Sequence, residues 1–131
     1  MASIRREVQV NARPEKVWEA VRDVGAVHER LAPGFVVDTK MEEGARVVTF
    51  ANGMTARELI VDVDDAARRL AWAVVGSPRL THHNASLQIV AEGEERTRIV
   101  WTADLLPNEV AGYIQAMIEQ GIAVMKQTLE K

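Results

Sequence analysis

Residues 107–131 read PNEVAGYIQAMIEQGIAVMKQTLEK. Ile114, Met117, Ile118, Gly121, Ile122, Met125 and Leu129 recur at three- and four-residue steps, which places them on one stripe of a helix. Pro107-Asn108 opens the segment, and Asn108 carries a side chain suited to an N-cap. The spacing predicts one helix over residues 108–130. A stripe this apolar needs a surface to cover it, and the chain ahead of it is made of strands.

Residues 35–41, 46–51, 54–62, 70–75, 84–91 and 97–105 are rich in β-branched and aromatic side chains and are bounded by Gly, Pro, Asn and acidic clusters. Residues 4–10 alternate Ile4, Arg6, Val8 and Val10 against Arg5, Glu7 and Gln9, the period of another strand. Pro14 then suits a first helical position, where its missing N–H has no partner to lose. Val17, Trp18 and Val21 give that helix its stripe, Gly25 breaks it, and a short helical turn over residues 26–31 follows. The order is strand, two short helices, six strands and one long helix. It predicts an α+β chain in which an antiparallel sheet of six to seven strands curls around the last helix, with a hollow between them.

Asn52-Gly53 is the strongest hairpin signal, because a type I′ turn needs φ > 0 at both central residues. A two-residue loop pairs Ala51 with Met54, Phe50 with Thr55, Val48 with Arg57 and Arg46 with Leu59. Arg46, Val48, Phe50, Thr55, Arg57, Leu59, Val61 and Val63 then share the face expected in the core. One β-bulge would put Glu58 inside in place of Arg57. Leu70, Trp72 and Val74, then His83, Ala85, Leu87 and Ile89, then Ile99, Trp101, Ala103 and Leu105 are expected inward on the later strands, with Arg98 and Thr102 toward water.

The chain has 131 residues, the size of one domain, so 1–131 is read as a single unit. Lys and Arg number 16 against 19 Asp and Glu, a net charge of −3, which argues against a nucleic-acid partner. There is no cysteine, so disulfides, thiolate catalysis and cysteine-bound zinc are excluded. No apolar run has signal-peptide length or approaches the roughly 18 residues that span a bilayer. The expected location is cytoplasmic, without membrane insertion.

His28, His82 and His83 are the only histidines, and the adjacent pair would point to opposite faces of a strand, so no metal is expected. Ser3, Ser77 and Ser86 sit in no nucleophile elbow, and no phosphate-cradling glycine loop exists; no cofactor is expected.

Pro14-Glu15-Lys16-Val17-Trp18, Gly44-Ala45-Arg46, the Asn52-Gly53 turn, Arg57-Glu58-Leu59 with Asp64, Arg69-Leu70-Ala71-Trp72, Thr97-Arg98-Ile99-Val100-Trp101 and Pro107 follow one another in this order. The set resembles the START-like (SRPBCC) superfamily, in particular its small bacterial polyketide cyclase/dehydrase-like branch, with the birch pollen allergen and the plant abscisic-acid receptors as relatives. Pro78-Arg79-Leu80-Thr81 resembles the latch loop of those receptors with Pro78 at the family's His; the tight Asn52-Gly53 turn replaces their gating loop. The resemblance implies a helix-grip fold with an internal hydrophobic cavity. Its members carry lipids, hormones and polyketides, and a minority catalyse cyclisation or dehydration.

Two arginines could lie in that cavity. Arg46 and Arg57 either meet Glu or Asp at its rim or offer a guanidinium fork to a ligand carboxylate, enolate or phenolate. The resemblance puts Arg46 at a cavity-lining position, Arg57 where many relatives have Glu, and His83 where relatives often have Tyr or His. His83 has a near-neutral pKa suited to acid–base work and is equally a core histidine. Gly121 either admits a close strand or makes room for ligand.

The expected ligand-binding set is Arg46, Val48, Phe50, Arg57, Leu59, Trp72, Val74, His83, Ala85, Leu87, Trp101, Ala103, Ile114, Met117, Ile118, Gly121 and Met125, with His83 as the catalytic candidate. The leading expectation is binding or transport of a small hydrophobic molecule (lipid, polyketide or aromatic), more in keeping with a non-enzymatic binder. The alternatives are a polyketide cyclase/dehydratase using His83 with Arg46 as oxyanion partner, and a START-related protein-interaction module. A homodimer is left open.

Overall fold

The fold begins on an edge strand whose burial follows its sequence alternation: in β1 (Ala2–Val10), Ile4 and Val10 are buried while Ser3, Arg5, Glu7 and Gln9 are exposed. The computed structural model describes residues 2–131, and Met1 lies outside them. Helix α1 (Pro14–Arg22) starts on its proline and buries Val17, Trp18 and Val21. One π-type turn, Val27–Leu31, follows and buries both of its end residues.

The remaining strands are β2 (Val36–Glu42), β3 (Ala45–Phe50), β4 (Thr55–Asp64), β5 (Arg69–Val75), β6 (His82–Ala91) and β7 (Thr97–Leu106), and the long helix is α2 (Ala111–Leu129). They form one seven-stranded sheet in the order β1-β7-β6-β5-β4-β3-β2, every neighbour antiparallel. Leu70, Trp72, Ala85, Leu87, Ile89, Ile99, Ala103 and Leu105 are buried on the inner face, against Ile118, Gly121, Ile122, Met125 and Leu129 of α2. Arg6, on the same face of β1, bonds Glu119 of α2 at 2.9 Å. Asn108 caps nothing: Asn108–Val110 form a 3-10 turn, and α2 begins at Ala111 without a side-chain cap.

The β3–β4 hairpin departs from its expected register by one residue. Phe50 N–H donates to the Met54 carbonyl at 2.8 Å, and Thr49 pairs with Thr55, so the loop holds Ala51, Asn52 and Gly53 rather than two residues. Gly53 sits at φ +87°, the left-handed position that ends a three-residue hairpin loop. The slip pairs Arg46 with Glu58 and Val48 with Ala56. Because side chains alternate, it reverses the faces of β4. Thr55, Arg57, Leu59 and Val61 turn outward, Leu59 at 36% and Val61 at 62% exposure, while Glu58 is buried. A second irregularity between Ile60 and Asp62 brings Val63 back opposite Leu70, packed against the core.

Candidate functional site

A cavity of about 810 Å³ lies between the sheet and α2. Its volume falls within the roughly 300–1,000 Å³ usual for small-molecule sites. Strands β3, β5, β6 and β7 contribute Val48, Phe50, Trp72, Val74, Leu87 and Trp101 to its wall; α2 contributes Ile114, Met117, Ile118 and Met125. The π-type turn and the segment that links it to β2 add Leu31 and Phe35 to the lining. Phe35 meets Phe50 edge to face with ring centres 5.4 Å apart, and Trp72 meets Trp101 likewise at 6.0 Å. These contacts hold the aromatic wall in one arrangement.

Arg46 and Glu58 form the polar part of this wall, at 4% and 8% exposure. Arg46 Nε donates to Glu58 Oε1 at 2.8 Å and Nη1 donates to the Val24 carbonyl at 3.3 Å, while the guanidinium lies 5.4 Å over the Trp72 ring. An unpaired buried guanidinium would cost several kcal/mol, so the carboxylate is what allows Arg46 to be there. Burial pushes the Glu58 carboxyl above its ordinary value, against the pull of Arg46. Arg57 instead reaches out to Glu42 at 2.9 Å, with about half of its side chain exposed.

His83 and Trp101 each place a buried polar atom in this region without a partner, Nδ1 and Nε1 respectively. Burial, and secondarily the neighbouring His82, holds His83 below the usual histidine value of 6.5, so it is a neutral imidazole at neutral pH. At the mouth, Tyr113 donates its hydroxyl to Met54 Sδ at 3.1 Å, beside Glu109 of the turn before α2 and the Pro78-Arg79-Leu80 loop.

Thirteen of the expected residues meet around the cavity: Arg46, Val48, Phe50, Arg57, Trp72, Val74, His83, Leu87, Trp101, Ile114, Met117, Ile118 and Met125. Ala85 and Ala103 are buried on the inner face without reaching the cavity surface. Gly121 does not open space either: a Cβ there would stand 2.9 Å from Phe35 Cε2 and 3.1 Å from Trp101 Cζ3, so the glycine admits two aromatic rings. Leu59 leaves the expected set because the three-residue hairpin loop turns its side chain outward; Arg57 stays at the cavity's edge with its guanidinium turned out to Glu42. Glu58, Phe35, Met54 and Tyr113 enter it. The three-residue loop ending at the left-handed Gly53 is what turns Glu58 inward, whereas nothing in the sequence pointed to Tyr113, outside the apolar stripe. Among the described residues, no cluster of three or more His, Cys, Asp or Glu side chains could hold a metal, and no helix is long and apolar enough to cross a membrane.

A family model described as polyketide cyclase/dehydrase and lipid transport matches residues 1–130. The chain belongs to this family.

Solved structures bear the fold of this polyketide cyclase/dehydrase and lipid transport family member. A Thermobifida fusca protein determined by solution NMR is 28% identical, with a TM-score of 0.81 over 99% of this chain and 91% of that one. The di-domain ARO/CYC BexL of the BE-7585A biosynthetic pathway is 19% identical with a TM-score of 0.82; the match covers 99% of this chain and 47% of BexL. Norcoclaurine synthase from Thalictrum flavum, in complex with dopamine and hydroxybenzaldehyde, is 19% identical with a TM-score of 0.74 over 98% of this chain and 84% of the synthase. A search of curated proteins found no match. The family's helix-grip architecture accounts for the placement of the cavity, since α2 is seated along β1 and β7 and against the π-type turn while β3 to β6 curve away from it.

Proposed function

We propose that this chain binds and carries a small hydrophobic molecule in the cavity between the sheet and α2. The observation that supports this reading is the lining of about 810 Å³ of space by aromatic, branched and thioether side chains. Apolar surface facing such a hollow gains dispersion contacts and loses water when an apolar guest enters. The Trp72 and Trp101 rings offer flat faces, and Met117 and Met125 adapt to the shape of the guest. The family's description, which includes lipid transport, supports the same reading.

A second reading, cyclisation or dehydration of a polyketide with His83 as acid–base group, is favoured by one observation. His83 presents an unpartnered Nδ1 and is held neutral by burial, in a wall that also contains Glu58. The similarity to BexL, an ARO/CYC protein, supports it. The carrier reading is preferred because no hydrogen bond among the described residues orients the His83 ring, as a general base requires.

Titration with Nile red, an uncharged apolar dye, tests the carrier reading. Trp72 and Trp101 emission should be quenched saturably while Trp18, outside the cavity and bonded to Asp65, keeps its own. An unsaturable or absent response would sink the carrier reading. The cyclase reading requires turnover of a poly-β-ketone that falls by about 10²–10⁴ in His83→Gln.

A further inference from the structure

The sheet ends on β1 at one side and on β2 at the other, and only the first edge is covered. Along β1 the Arg5 carbonyl accepts from Arg6 Nη1 and the Gln9 carbonyl from Lys126 Nζ of α2, both at 2.8 Å. Just past that strand the Asn11 N–H donates to Glu130 Oε2 at 2.8 Å. β2 pairs with β3 alone, and among the described residues no other group bonds the main chain of residues 37–42. The His28 ring meets the Thr39 hydroxyl at 3.1 Å, but Val37 and Met41, two residues to either side of Thr39, are each 53% exposed. Asp38 and Lys40 lie between them on the outer face, opposite Thr49 and Val47. Among the described residues neither has an ion-pair partner in its own chain. An open strand edge is a template for another strand, and apolar side chains on it add to the attraction.

We propose that β2 docks on β2 of a second copy, so that two seven-stranded sheets continue as one across a twofold axis at Thr39. The order Val37-Asp38-Thr39-Lys40-Met41 is self-complementary in that arrangement. Antiparallel pairing about Thr39 sets Asp38 opposite the partner's Lys40 and Lys40 opposite the partner's Asp38. It also sets Val37 against the partner's Met41 and Met41 against the partner's Val37, which covers the apolar side chains at both ends. A lysine on an edge normally repels an approaching strand; here an aspartate two residues away answers it. A twofold at Lys40 instead would oppose Lys40 to itself and Asp38 to the partner's Glu42, so charge disfavours that register. The irregularity at Val37 ends the ladder there, which keeps the interface small and the dimer weak. The proposal stands apart from the carrier reading, because neither Asp38 nor Lys40 lines the cavity.

Sedimentation velocity from about 5 to about 500 µM tests this, with a dissociation constant of roughly 100 µM expected for the wild type. Asp38→Lys and Lys40→Asp each set like charges opposite one another at both contacts, and each should weaken the dimer by about tenfold or more. Asp38→Lys/Lys40→Asp exchanges the two signs and should restore the dimer to within about threefold of the wild type. The two single variants, largely monomeric alone, should associate when mixed, since each then meets the opposite charge. Should one variant fail to keep the wild-type circular dichroism, the wild-type mass and the remaining variants decide. A wild type that stays monomeric at about 500 µM, or a dimer that ignores both single changes, would overturn the proposal and leave the carrier reading in place. Absence of a saturable Nile red response, in turn, would sink the carrier reading and leave the dimer standing.

Discussion

Glu58 and His83 are the side chains of the cavity wall whose pKa burial moves, Glu58 upward and His83 downward. Glu58 has Arg46 beside it, which also meets the Val24 carbonyl and the face of Trp72. His83 has no such partner, and burial holds its pKa below 6.5. The unfolded chain therefore takes up a proton at this histidine more readily than the folded one. Its contribution to stability is present above about 6.5 and is lost as pH falls through the depressed folded value. Urea unfolding of the wild type and His83→Gln at about pH 7.5 and about pH 5 should show the wild type losing more stability on acidification. Glu58, raised by burial, acts in the opposite direction, losing its stabilising effect as pH rises above 4.5, and the paired comparison cancels it. Parallel pH dependence in the two proteins would mean that His83 is not desolvated.

Helix α2 and the β3–β4 hairpin show what an element's own sequence can and cannot settle. The apolar stripe of α2 was legible because its three- and four-residue spacing survives any packing arrangement. Its glycine was not, because only Phe35 and Trp101, far away in the chain, give Gly121 its role. Gly121→Ala gains roughly 1 kcal/mol of helix propensity yet drives a methyl group against two rings, at roughly 1–3 kcal/mol. The net expected loss is about 1 kcal/mol, read as a lowered urea midpoint at unchanged slope. A stabilised Gly121→Ala would show that both rings move aside freely. In the hairpin, Asn52-Gly53 suits a two-residue loop and also a three-residue loop ending in a left-handed glycine. Tertiary contacts chose the second: Phe50 stacks edge-on against Phe35, and Ala51 N–H bonds the Phe35 carbonyl at 3.1 Å.

At the scale of the whole molecule, seven strands and one helix enclose a hollow of about 810 Å³ in a chain of 131 residues. A guest that binds only the folded state stabilises it by mass action, by about 2.7 kcal/mol at a hundred times its dissociation constant. With an unfolding entropy of roughly 2.1 cal/mol/K per residue, that corresponds to a rise in Tm of about 10 °C. A thermal-unfolding series with increasing Nile red should show this continuous rise. An unchanged Tm at concentrations that quench the tryptophans would place the binding somewhere other than the folded cavity.

The order of elements, the curved antiparallel sheet with its terminal helix, and most of the inward faces were determined by the sequence alone. Hydrophobic periodicity is a local property that each segment carries with it. The register of β4 was not, because a loop longer by one residue reverses every side chain of the strand and two loop types accept the same Asn-Gly. Tertiary structure therefore decided that Glu58 rather than Arg57 meets Arg46, and so that the cavity wall is neutral where two inward arginines would have made it basic.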